Sequence, residues 1–249
     1  MNRPFADRYE AGRVLAESLR TFEGHADVMV LGLPRGGVPV AYEVSRELGV
    51  SFDIYMVRKL GAPGQEELAM GAIASGGIVV INEEVVGALK IPWEMVQAEI
   101  ARERMELTRR ELLYRGNRPP LDVTGLTVLL VDDGLATGST MRAAVRALRR
   151  KQPAKIIVAV PTAAPSTFQE FQTIADACVA SIVPEPFRAV GLWYENFDQI
   201  SDEEVCDLLA RPAKGPGADP ASELRLLSAE NLRSGDSAMS SPPRGGVDC

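Results

Sequence analysis

The chain is predicted to fold as an open, mostly parallel α/β sheet flanked by helices, and three observations carry this. Short runs dense in Val, Ile and Leu recur with little polar alternation, as strands covered on both faces require. Amphipathic stretches separate those runs, the alternation that builds parallel sheets. Two runs end directly in chemically loaded loops, Pro34-Arg35-Gly36-Gly37 and Asp132-Asp133-Gly134. In such folds ligands bind beyond the carboxyl ends of the strands, near a switch in strand order.

The elements follow in order. Residues 6–22 read as an amphipathic helix, with Tyr9, Val14, Leu15 and Leu19 near one face. Residues 28–33 form a strand, 38–48 a helix closed by Gly49, and 52–57 a second strand that delivers Arg58 and Lys59 to the edge holding Asp132. Residues 68–73 and 78–81, joined through Ser75-Gly76-Gly77, make a hairpin set into the parallel scheme. A charged helix is inserted at about 92–113. Its Trp93, Val96, Ile100 and Leu107, with Tyr114 just beyond, fall near the helical period, and Glu99, Arg102, Glu103, Arg104, Glu106, Arg109 and Arg110 form close charge pairs. It lies across the core or against a twin subunit. Further strands are 127–131, 156–160 and 179–183, and Ser201 caps a helix opening on Asp202-Glu203-Glu204. Residues 212–249 hold 5 prolines, 5 glycines and 6 serines, too little apolar material for a core. The domain is therefore residues 1–211, and 212–249 is a largely disordered tail with one weak helix at 222–232.

Charge and composition narrow the partners. With 27 Lys+Arg against 34 Asp+Glu, the net charge is −7, which argues against a broad nucleic-acid surface but leaves room for a local anion pocket. Cys178, Cys206, Cys249 and the single His25 build neither a metal cluster nor a disulfide framework. The charged N-terminus and the lack of a long apolar run predict no signal peptide, no membrane partner and a cytoplasmic location.

The run from Leu129 to Met141 carries the chemistry. A buried strand ends in two carboxylates, then a glycine-spaced turn opens a hydroxyl-rich helix start. Such a turn and helix N-terminus cradle a phosphate, while the acidic pair faces hydroxyls or a hydrated magnesium ion. The simpler account is an N-capped strand–helix junction with solvated aspartates. In the other loop, Gly36 and Gly37 permit close approach and unusual dihedrals, and Arg35 adds a fork-shaped donor. No Gly-x-Gly-x-x-Gly occurs there and no Gly-x4-Gly-Lys-Ser/Thr anywhere, so dinucleotide and P-loop chemistry fit poorly.

Val131-Asp132-Asp133-Gly134-Leu135-Ala136-Thr137-Gly138-Ser139-Thr140-Met141 resembles the 5-phosphoribosyl-1-pyrophosphate (PRPP) motif of the type I phosphoribosyltransferases, in a form similar to that of the adenine enzymes. Over residues 28–209 the chain also resembles poorly characterised phosphoribosyltransferase-domain proteins, through Leu-Pro-Arg-Gly-Gly-Val-Pro, Val-Arg-Lys-Leu-Gly-Ala-Pro and Asp-Asp-Gly-Leu-Ala-Thr-Gly. The resemblance implies the type I fold with a small hood, a homodimer, and transfer of a phosphoribosyl group from PRPP to a nitrogenous, purine-like base with Mg2+. The alternative it implies is a regulatory protein that binds PRPP or a nucleotide without turnover.

By resemblance, Asp132 and Asp133 face the ribose hydroxyls, directly or through Mg2+, and Ala136, Thr137, Gly138, Ser139 and Thr140 wrap the 5-phosphate. Arg35, Gly36 and Gly37 match the pyrophosphate loop, which in this family often holds a non-proline cis peptide. Arg58 and Lys59 match basic residues at the base of a mobile catalytic loop, here short and running through residues 61–67. Ala136 stands where some 6-oxopurine enzymes carry an acid/base, an absence shared with adenine and uracil enzymes that weighs against a hypoxanthine/guanine acceptor, and Glu66 or Glu67 could supply a carboxylate from the loop if it closes. Residues 186–197 are similar to the base-binding region of hypoxanthine-guanine enzymes, implying Phe187 and Trp193 as a stacking platform and Glu195 as a metal-side acid; these aromatics read equally well as core or hood packing.

Overall fold

The computed structural model describes residues 3–116 and 118–211, apart from the side chains of Glu66 and Glu67. The expected tail at 212–249, with its helix at 222–232, lies outside the described residues, as do any contacts of the Glu66 and Glu67 carboxylates.

Helix α1 (Arg8–Glu17) begins where Asp7 accepts the Glu10 N–H at 2.8 Å, a side-chain N-cap, and a 3-10 turn at Arg20–Phe22 follows it. Its buried face holds Arg8, Ala11, Gly12, Leu15 and Ala16, while Val14, expected inside, is 42% exposed. Small residues set this face because α1 lies close on α2 (Gly37–Leu48): a Cβ on Gly12 would sit 2.7 Å from the Val40 carbonyl oxygen. Helix α2 ends at Gly49, whose φ of 66° is the left-handed conformation of a glycine stop.

The strands are β1 (Val28–Gly32), β2 (Ser51–Ile54), β3 (Val57–Ala62), β4 (Gln65–Ala74), β5 (Ile78–Ile81), β6 (Thr127–Val131), β7 (Lys155–Thr162) and β8 (Ala177–Ile182). Five of them form one parallel sheet in the order β2-β1-β6-β7-β8. Side chains alternate between two cores. Val30, Leu129, Val131 and Ala159 pack with Leu15, Val40 and Val44 of α1 and α2. Leu31, Leu130 and Val158 pack with Met141, Val145 and Phe171 of α5 (Ser139–Arg149) and α6 (Pro165–Ile174). Burial on both faces is why these strands carry so little polar alternation.

The expected strand at 52–57 and the expected loop at 61–67 both require correction. The parallel strand stops at Ile54, the Met56 N–H donates to Ser75 Oγ at 3.0 Å, and Val57 opens a separate antiparallel sheet in the order β3-β4-β5. Residues 61–67 are the end of β3, the Pro63-Gly64 turn and the start of β4, not a free loop. The hairpin over residues 68–81 therefore belongs to this second sheet and is not set into the parallel one.

Helices α3 (Glu83–Ala88), α4 (Trp93–Arg115) and α7 (Asp202–Ala210) complete the described helices. The α4 seam that faces inward is Val96, Glu103, Leu107 and Tyr114, packed on Leu60, Met70 and Ile73 of the second sheet and on Val205 and Leu208 of α7. The helix thus lies across the core as expected. Its first residue, Trp93, is 53% exposed and stands off that seam.

Candidate active site

The order of the parallel sheet reverses between β1 and β6, which lie side by side in register with Gly32 opposite Val131. Arg35 and Asp132 therefore leave the same end of the sheet, at the switch point where α/β folds bind ligands. The two loops touch. A Cβ on Gly36 would lie 2.1 Å from Asp133 Oδ2, and one on Gly37 would lie 2.7 Å from the Val131 carbonyl oxygen. Close approach is what these glycines supply. The unusual dihedral expected at Gly36 is absent, since φ −60° and ψ −36° suit any residue. The Pro34–Arg35 peptide is cis.

The run from Thr127 to Arg149 has the expected strand–turn–helix arrangement. Gly138 adopts φ 70°, Ser139 opens α5, and the first-turn N–H groups of that helix have no carbonyl within the helix to bond. The Thr137 and Ser139 hydroxyls lie 3.3 Å apart and Thr140 is exposed beside them. The loop is tied from outside, because Thr167 Oγ1 donates to the Ala136 carbonyl at 2.6 Å. Asp132, Ala136, Thr137, Gly138, Ser139 and Thr140, with Val190, line a cavity of about 180 Å³. Val190, which sequence reasoning missed, packs where a Cβ on Gly134 would intrude, 2.4 Å from its Cγ1. A larger cavity of about 350 Å³ lies between the β3–β4 turn and α4, and its charged lining residues, Glu99 and Arg102, already bond each other at 2.6 Å.

Each aspartate is held by one oxygen. Asp132 Oδ1 accepts the Asp133 N–H at 2.9 Å, and Asp133 Oδ2 accepts Arg8 Nε at 2.9 Å. Asp132 lines the cavity, whereas Asp133 stands next to it in the chain without lining it. Burial, with the neighbouring Asp133 carboxylate, pushes Asp132 well above the usual carboxylate range. Burial also raises Asp133, against the pull of the Arg8 guanidinium. Two crowded hard oxygen donors of this kind suit a cation that brings further ligands from a substrate, as Mg2+ does with phosphates. No cluster of three or more carboxylate, His or Cys ligands exists among the described residues.

Other expected residues stand elsewhere. Arg35 is half-buried and reaches Asp202 at the start of α7, 3.5 Å away, where the Tyr114 hydroxyl donates to the same Oδ1 at 2.5 Å. Burial and that bond push Tyr114 up to about 12. Arg58 and Lys59 sit within β3, and the Arg58 guanidinium is bonded to the buried Glu103 of α4. Neither lines the cavity beside Asp132. The segment over residues 183–200, including the 3-10 turn Val190–Trp193, is anchored by the Phe5 N–H on the Trp193 carbonyl at 2.9 Å. Trp193 packs against the cluster of Phe5, Ala11 and Tyr194, Phe187 is half-buried, and Glu195 is exposed with its N–H on the Phe5 carbonyl. None of the three touches the cavity. Arg8 is the residue that sequence reasoning missed most plainly: it is 7% exposed, bonded to Asp133, and its Cζ lies over the Phe197 ring, 3.9 Å from the centroid.

Comparison with known proteins places this architecture. The sequence profile for the phosphoribosyl transferase domain matches residues 8–186. The chain is 43% identical over 207 residues to the Mycobacterium tuberculosis protein Rv0571c, provisionally named a phosphoribosyl transferase, covering 83% of this chain and 46% of that protein. It thus spans about half the length of that relative. It is 33% identical over 129 residues to the bifunctional protein PyrR of Chloroflexus aurantiacus, covering 51% of this chain and 65% of that one. The crystal structure of TT1426 from Thermus thermophilus superposes with a TM-score of 0.75 at 42% identity, covering 83% of this chain and 97% of that one. No helix among the described residues is long and apolar enough to cross a membrane. The chain belongs to the phosphoribosyl transferase domain family and has the α/β type I phosphoribosyltransferase fold.

Proposed function

We propose that this chain transfers the 5-phosphoribosyl group of PRPP to a nitrogenous base, with Mg2+, releasing pyrophosphate and working as a homodimer. The observation that supports it most is the adjacent pair of largely buried carboxylates, Asp132 and Asp133, next to an N–H-rich turn at the sheet's switch point. In this reading the first turn of α5, with the hydroxyls of Thr137, Ser139 and Thr140, binds the 5-phosphate. Asp132 and Asp133 accept from the ribose hydroxyls or hold the cation. Mg2+ supplies charge neutralisation of the pyrophosphate as it departs. Arg35 stands at the matching loop to receive that anion, with Gly36 and Gly37 keeping the loop close. The displacement runs at the anomeric carbon through an oxocarbenium-like state, so catalysis is positioning and charge stabilisation.

The acceptor in this reading is purine-like and of the adenine type, since Ala136 at the cavity wall cannot move a proton. It would lie toward Val190 and the hood, with Phe187 and Trp193 the aromatic candidates and Glu195 a metal-side acid that must swing in. One observation favours a second reading, a regulatory protein that binds PRPP or a nucleotide without turnover: Arg58 is committed to Glu103, and neither Arg58 nor Lys59 lines the cavity. A panel of purine and pyrimidine bases incubated with PRPP and Mg2+, followed for pyrophosphate and new nucleotide, separates the two. Product with one base supports transfer. PRPP binding with no product across the panel supports the regulatory reading.

A further inference from the structure

Resting on the reading of Asp132 and Asp133 as the ribose-side acceptors, we propose that Arg8 is the positioning residue that fixes the orientation of the Asp133 carboxylate beside the substrate. Arg8 comes from the first residue of α1, 125 positions before its partner, and is almost fully buried. Its guanidinium serves three surfaces at once. Nε donates to Asp133 Oδ2 at 2.9 Å, Nη1 donates to the Asp198 carbonyl at 2.8 Å, and Cζ lies over the Phe197 ring, 3.9 Å from its centroid. Asp133 is also held by its main chain, since the Tyr194 hydroxyl donates to its carbonyl at 2.5 Å.

Arg8 thus holds the Oδ2 end of the carboxylate, and the bare Gly36 leaves room for that same oxygen: a Cβ there would stand 2.1 Å from Oδ2 and 3.4 Å from Oδ1. Swinging the carboxylate away from Arg8 would break that bond. Because the same guanidinium is clamped to the 183–200 segment at Phe197 and Asp198, Arg8 couples that segment to the ribose side of the site. A lysine offers a single point charge and cannot meet the carboxylate, the carbonyl and the ring with one planar group.

The test is calorimetric titration of PRPP with Mg2+ into four proteins: wild type, Arg8→Met, Asp133→Ala and the double variant. Loss of an outer-shell partner of this kind costs about 10–100-fold in affinity, which is the loss expected for Arg8→Met. In the Asp133→Ala background the same change should cost less than about twofold, because no side-chain oxygen is left there for Arg8 to position and the two losses cannot add. Arg8→Lys should fall between wild type and Arg8→Met, and it takes over the cycle if Arg8→Met does not fold. An equal loss in both backgrounds would mean that Arg8 only supports the fold, and would overturn the proposal. Wild-type protein that fails to bind PRPP would instead overturn the reading of the site, and this proposal with it.

Discussion

Replacing Gly138 by alanine tests the geometry of the phosphate-type turn without touching a charge. The backbone there has φ 70° and ψ 9°, a left-handed conformation that costs an L-residue roughly 1–2 kcal/mol. The new methyl would also meet Phe171 Cε2 at 2.6 Å and Thr167 Cγ2 at 2.9 Å. Phe171 is fully buried and Thr167 holds the Ala136 carbonyl, so neither yields freely, and overpacking of this kind costs about 1–3 kcal/mol. The two contributions together predict a loss of about 2–5 kcal/mol. Gly64 is the control, because its φ is 73° and nothing lies within 4 Å of its missing Cβ. Gly64→Ala should therefore show the backbone cost of roughly 1–2 kcal/mol alone. Urea unfolding followed by circular dichroism measures both, provided the m-values agree. Phe171→Leu placed on Gly138→Ala should recover part of the loss. If Gly138→Ala and Gly64→Ala proved equally destabilising within about 0.5 kcal/mol, the packing argument at Gly138 would be refuted.

Three further outcomes follow from named contacts. Asp132 has its folded pKa raised by burial and by Asp133, so its contribution to stability is full below the unfolded value of about 4 and is lost as pH rises through the folded value. Ligand-free Asp132→Asn should therefore match wild type near pH 4 and melt at a higher temperature by pH 7–8; a lower melting temperature there would contradict the reading. Arg115→Met removes one side of the Arg115–Asp53 pair (2.8 Å; side chains 11% and 12% exposed) that ties α4 to β2, and should cost about 3–5 kcal/mol in urea unfolding, with Asp53→Leu restoring part of it. Ser201→Ala removes the cap that accepts the Glu204 N–H at 3.1 Å and should cost about 1 kcal/mol by the same assay.

The parallel half of the fold was legible because its signal is local. Residues 127–131 form a strand to the residue, since an all-buried run ends at two carboxylates that cannot continue inward. The break after Ile54 was not legible: Ile54, Tyr55, Met56 and Val57 are uniformly apolar, and the chain leaves the sheet there through a hydrogen bond to Ser75, nineteen residues away. Gly61, Pro63 and Gly64 look like a loop, yet β3 pairs through Gly61 by shifting register. At the site, the run from Asp132 to Thr140 could be read directly because carboxylates, turn and helix start are contiguous. Arg8 could not, since a charged residue on an amphipathic helix ordinarily faces water and its partners lie far along the chain. Two signals near it were available in retrospect. Ala11 and Gly12 mark the tightly packed face of α1, and Arg8 falls on that face.

The most direct test of the central claim, that Asp132 and Asp133 with the turn to Thr140 form the PRPP site, is calorimetric titration of PRPP with Mg2+ into wild type and the Asp132→Asn/Asp133→Asn variant. Each lost hydrogen bond to a charged group is worth about 1.5–3 kcal/mol, so the double variant should bind at least about 100-fold more weakly while remaining folded. Equal affinity in the two proteins would place PRPP elsewhere or nowhere on this chain, and would contradict the account.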